Sequence, residues 1–204
     1  MKISLPLLLL LIGFACKTNT NSTPADDGAE ATAVQTRLNG DNHLFDFSEN
    51  TSTATWNIVD DTVMGGRSEG NFTVTNEGHG RFYGKVSLEN NGGFSSIRHR
   101  FDAPKALGNT SAFRLRVKGD GSDYGLRIKD QSGQRYVYAA NFSTTGDWQV
   151  VEVPYTNLAA QFRGYDMSDR VPPFSAEQVL ELQLLIGNKR AQAFDLLVDW
   201  IGVE

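Results

Sequence analysis

From Leu44 onward, apolar and polar residues alternate one by one in short runs, and a helix cannot use that pattern. In residues 111–118, Phe113, Leu115 and Val117 fall on one side while Arg114, Arg116 and Lys118 fall on the other. That is the period of a half-buried strand. The same spacing recurs in Phe72 and Val74, in Phe82, Gly84, Val86 and Leu88, and in Tyr124, Leu126 and Ile128 with Arg127 and Lys129 between them. Residues 44–47, 54–59, 134–142, 148–153, 180–186 and 194–203 read as further strands. Pro154 stops one of them, and Gly119-Asp120-Gly121 is a turn. Residues 156–173 read as a long irregular loop, and 175–178 as one helical turn capped by Ser175. Many short strands with close turns predict an all-β sandwich. Pairing 111–118 with 124–129 would set a basic ladder on one face, which acidic or aromatic neighbours must relieve.

Within residues 56–100 two glycine doublets punctuate the alternation. Asp60-Asp61 precedes Gly65-Gly66, and Asn90-Asn91 precedes Gly92-Gly93. Donors follow each: Arg67 and Ser68 after the first, Ser95, Ser96 and Arg98 after the second. Glycine pairs mark positive φ or close approach. The run therefore predicts two polar loops joined by a hairpin, and those loops are the candidate binding surface. The candidate residues are Asp60, Asp61, Met64, Gly65, Gly66, Arg67, Asn90, Asn91, Gly92, Gly93, Ser95 and Arg98, joined by Arg163 from Phe162-Arg163-Gly164. On a strand, Asp60 and Asp61 would face opposite sides, so they do not make a catalytic carboxylate pair. In a loop, one can cap the Val63-Met64-Gly65-Gly66 turn or offer oxygen to a hard cation. The Asn-Gly segment suits a left-handed turn or an amide surface for a sugar or a protein backbone. Arg67 and Arg98 suit carboxylate recognition, or pairing with Asp60 or Asp61.

The motif Trp56…Asp60-Asp61-Thr62-Val63-Met64-Gly65-Gly66-Arg67-Ser68, followed by Gly84-Lys85-Val86-Ser87-Leu88-Glu89-Asn90-Asn91-Gly92-Gly93-Phe94-Ser95-Ser96-Ile97-Arg98, closely resembles the CIA30 family. The resemblance continues through Gly119-Asp120-Gly121, Trp148, Pro154, Phe162-Arg163-Gly164 and Phe194…Asp199-Trp200-Ile201. It implies a jelly-roll β-sandwich of the galactose-binding type. It also implies a non-catalytic assembly module of the kind that serves respiratory complex I. The polar loops on such a sandwich leave carbohydrate binding as the alternative. The expected partner is accordingly a membrane complex, an assembly intermediate or a glycan.

The motifs of several enzyme classes are missing: there is no nucleophile elbow, no P-loop and no dinucleotide fingerprint. No cofactor or metal is expected. His43, His79 and His99 have no ligand spacing and read as surface or strand-edge residues. Trp56, Trp148 and Trp200 read as core, while Tyr83, Tyr138 and Tyr165 are candidates for an exposed platform. The net charge of -5 disfavours nucleic acid.

Residues 1–15 combine Lys2 with an apolar run of signal-peptide length. Gly13-Phe14-Ala15-Cys16 resembles a lipoprotein cleavage box, which would leave Cys16, the only cysteine, to carry lipid. Residues 16–41 are too polar to fold and read as a tether. The folded domain is expected over 42–204, exported and lipid-anchored at the periplasmic or outer-membrane face of a bacterial membrane.

Overall fold

The computed structural model describes residues 42–48 and 51–204. The expected signal peptide, Cys16 and the tether lie outside them. Thirteen strands run through the described residues: β1 His43–Asp46, β2 Trp56–Asp60, β3 Glu69–Val74, β4 Gly80–Val86, β5 Ser95–Ala106, β6 Ala112–Lys118, β7 Asp123–Lys129, β8 Val137–Ser143, β9 Gln149–Pro154, β10 Ala159–Phe162, β11 Tyr165–Asp166, β12 Gln178–Ile186 and β13 Gln192–Val203. They form two antiparallel sheets. The first has the order β3-β4-β13-β6-β9, with β1 added to β13. The second has the order β11-β10-β8-β7-β12-β5-β2. This is the all-β sandwich that the alternation predicts, in the jelly-roll form that the family resemblance implies.

The alternating apolar residues meet between the sheets. Phe82, Phe113, Leu115, Leu196 and Val198 from the first sheet pack with Ile97, Leu126, Ile128, Leu182, Leu184 and Ile186 from the second. Burying each such side chain contributes roughly 1.5–3 kcal/mol. The strand β13 organises the first sheet. Residues Gln192 to Val198 pair with β4, Leu197 to Val203 pair with β6 on the other edge, and Trp200 to Gly202 also take β1.

Several expectations change. Residues 175–177 form no helical turn; Ala176 takes a φ of 58° and the chain enters β12 at Gln178. The long loop contains β10 and β11. Most importantly, β6 and β7 do not pair but lie in different sheets, so their cations never form one ladder. On β6 the cations find partners: Arg116 donates to Asp199 at 2.6 Å and lies over Trp148, and Arg114 donates to Glu204 at 2.7 Å. Trp56 is core, as expected. Trp200 is fully buried on the outer side of its sheet, level with Arg116, where His43 stacks on it. Trp148 precedes β9 and packs against His79. His99 is no surface histidine; it is buried among Phe45, Trp56 and Phe101, and that burial pushes its pKa down. Tyr138 is core rather than platform, whereas Tyr165 is exposed.

Candidate functional site

The two glycine loops meet at one buried carboxylate. Asp61 follows β2 and opens a short 3-10 turn, Asp61–Met64, with no exposed surface of its own. From one loop it accepts the Ser68 N–H at 2.9 Å and the Ser68 hydroxyl. From the other it accepts the Gly93 N–H at 2.6 Å and the Phe94 N–H at 3.2 Å. Burial acts to raise the Asp61 pKa, but the Ser68 hydroxyl and the three N–H groups outweigh it and hold the carboxyl below the usual aspartate value. Ser68 extends the knot, since its hydroxyl accepts the Ser87 N–H at 3.0 Å.

Asp60 makes a second clamp. It accepts the Gly70 N–H at 3.0 Å and the Ser95 hydroxyl at 2.6 Å. Two further contacts cross between the loops: the Asn90 amide donates to the Gly65 carbonyl at 3.1 Å, and Arg67 lies 3.1 Å from Glu89. That ion pair is exposed and adds little stability.

The doublets now have a physical account, because in each one glycine supplies conformation and the other supplies space. Gly65 takes a φ of 90° and Gly93 of 142°. A Cβ on Gly66 would sit 2.3 Å from the Asp61 carboxylate, and one on Gly92 would sit 2.6 Å from it. Asn90 and Asn91 adopt left-handed φ values of 55° and 59°, the turn geometry expected of them.

The candidate residues therefore separate. Asp60, Asp61, Met64, Gly65, Gly66, Arg67, Asn90, Asn91, Gly92, Gly93 and Ser95 are brought together. Within that group Asp61 and Ser95 are buried and structural, so neither faces a ligand. The Asp61 oxygens are committed to N–H and O–H donors and not available to a cation. Arg98 is not a loop residue: it lies on β5, on the outer face of the second sheet, and does not pair with Asp60 or Asp61. Arg163 sits in the β10–β11 turn with a φ of 51°, at the opposite edge of that sheet from β2. Polarity alone did not point to Val63 and Leu88. Val63 is 72% exposed, Met64 66% and Leu88 45%, so the clamped loops present apolar side chains outward.

The sequence profile of complex I intermediate-associated protein 30 matches residues 45–198. The chain belongs to the CIA30 family. In this CIA30 protein the matched span includes both glycine loops. A comparison with curated proteins gave no match. Solved structures share the fold. A family 11 carbohydrate-binding module from Clostridium thermocellum, in complex with a β-1,3-1,4-mixed-linked tetrasaccharide, superposes with a TM-score of 0.58 at 10% identity, over 79% of this chain and 94% of that one. The agarase AgWH50C gives a TM-score of 0.55 at 13% identity, over 80% of this chain and 26% of the agarase. At these identities the likeness concerns architecture alone.

Proposed function

We propose that this CIA30 protein is a non-catalytic, membrane-tethered binding module, and that the clamped loop pair is its protein-docking rim. The observation that carries the reading is the exposure of Val63, Met64 and Leu88 on a backbone fixed by Asp60 and Asp61. Apolar side chains carried on a fixed backbone can dock without the added cost of ordering the loop. The family description suggests the partner, an intermediate in the assembly of complex I. A photo-crosslinking residue at Met64, in native membranes, is expected to capture subunits of NADH:ubiquinone oxidoreductase. Val63→Glu with Leu88→Glu, in the protein carrying the crosslinker at Met64, should weaken capture about tenfold, the equivalent of roughly 1.4 kcal/mol. Capture that ignores the double substitution would remove the rim from the account.

The leader supports the tether. Cys16→Ser is expected to release the protein from the membrane fraction, since acyl chains contribute about 0.8 kcal/mol per buried CH₂. Membrane association that survives this change argues against lipidation.

A second reading, carbohydrate binding, draws on the outer face of the second sheet. There Glu181, Gln183 and Leu185 of β12 are buried although they point away from the core. Asn57 and Asn141 flank it as exposed amides.

A further inference from the structure

Antiparallel register aligns a row of side chains on that outer face: Asn57 on β2, Arg98 on β5, Gln183 on β12, Arg127 on β7, Ala139 on β8 and Ala159 on β10. The next row holds Arg100, Glu181 and Lys129. Four cations thus share one carboxylate, and Glu181 is already engaged. Lys129 lies 3.4 Å from it, Arg100 3.9 Å, and the Gln183 amide donates to it at 2.6 Å.

Arg98 and Arg127 are left over. Neither makes a hydrogen bond or ion pair with a described residue, and the Arg98 Nε is buried without a partner. The contrast with the first sheet is direct, because there Arg81, Arg114 and Arg116 each reach a carboxylate. Burial lowers the pKa of both arginines; the Glu181 carboxylate offsets part of this at Arg98, and the positive charge of Arg98 lowers that of Arg127 further. Both still remain charged at any physiological pH. Partly buried, like-charged guanidiniums with empty donors are costly to keep unless something outside the chain completes them.

We propose that the Arg98–Arg127 pair is a subsite for the acidic group of a saccharide, a carboxylate or sulfate held between two guanidinium forks. This rests on the carbohydrate reading and adds a charge requirement to it. The two Cα atoms are two strand spacings apart, about 10 Å, which two long side chains can close onto one oxyanion. Ala139 and Ala159, next in the row beyond Arg127, carry only methyl groups. Amides at the margins can both donate to and accept from hydroxyls.

Affinity electrophoresis of the full chain tests this. The gels would contain polygalacturonate, dextran sulfate, neutral dextran, neutral mixed-linked β-glucan or polyglutamate. Retardation is expected with polygalacturonate or dextran sulfate, whichever carries the preferred group. It should weaken at least tenfold in Arg98→Gln and in Arg127→Gln, and should fall with salt. Each substitution also removes an unpaired, desolvated charge. The melting temperature should therefore hold or rise by about 2–4 °C, where a merely structural arginine would lower it. If Arg127→Gln does not fold, Arg98→Gln and Arg127→Lys carry the test. Retardation by acidic polymers that the variants do not change overturns the subsite. Retardation by neutral glucan alone keeps carbohydrate binding and removes the acidic group. No retardation by any glycan removes both. Equal retardation by polyglutamate reassigns the arginine pair to acidic peptide and overturns the saccharide.

Discussion

Asp61→Asn is expected to cost about 3–5 kcal/mol of stability, in the range seen when a buried, hydrogen-bonded charge is removed from its partners. The carboxylate accepts from four donors in two loops. Asparagine keeps one oxygen and turns the other end into a donor, which then faces donors. Each hydrogen bond to a charged group is worth roughly 1.5–3 kcal/mol, and a buried donor left unpaired costs about 1–3. At about 2–4 °C per kcal/mol for a domain of this size, the melting temperature should fall by roughly 10 °C. The pH dependence follows from the same bonds. The folded pKa is depressed, so the contribution is complete above the unfolded aspartate value. It is lost as pH falls below that value and through the folded one. Urea midpoints taken from about pH 6 down to about pH 2 should decline in the wild type and decline less steeply in Asp61→Asn. A variant with an unchanged midpoint would mean that the two loops do not depend on the carboxylate.

Gly66→Ala should be nearly as damaging for a different reason. Its Cβ would lie 2.3 Å from Asp61 Oδ1 and 2.4 Å from Cγ, closer than atoms can stand. The carboxylate must therefore leave its donors or the 3-10 turn must move. A loss of about 2–4 kcal/mol is expected, of the size that overpacking and a broken buried network produce. The mechanism predicts non-additivity. In an Asp61→Gly background, which also removes the Asp61 Cβ that would lie 2.8 Å away, the obstruction is gone, and Gly66→Ala should then cost under about 1 kcal/mol. Additive costs across the four proteins of this cycle would refute steric exclusion by the carboxylate.

Much of the architecture was legible because alternation reports a half-buried strand directly. The runs read at 72–74, 82–88, 111–118 and 124–129 needed no tertiary information, and each falls largely within a strand, two to three residues short of it at the start of the first two. Pairing did need it. Nothing in the period-two pattern says that 112–118 joins one sheet and 123–129 the other, so the cations on both looked like one ladder. Residues 95–106 were hidden by composition: Ser95, Ser96 and the basic residues suggested a loop, yet Ile97, His99 and Phe101 face inward and make a long strand. Convergence of the two loops was legible from the repeated doublets. The division of labour inside each doublet was not, since only coordinates reveal which glycine borders a carboxylate. Arg127 drew no notice because its alternation looked ordinary. Its lack of a partner emerges only when every neighbouring acid has been allotted.

The place of β13 has a consequence for how the protein comes into being. This strand lies between β4 and β6, and both precede it in the chain. During synthesis those two strands emerge without the one that will separate them. Half of the sandwich cannot close until β13 has cleared the ribosome. The nascent polypeptide must therefore wait with its inner faces open, and any chaperone that attends it has that interval in which to act.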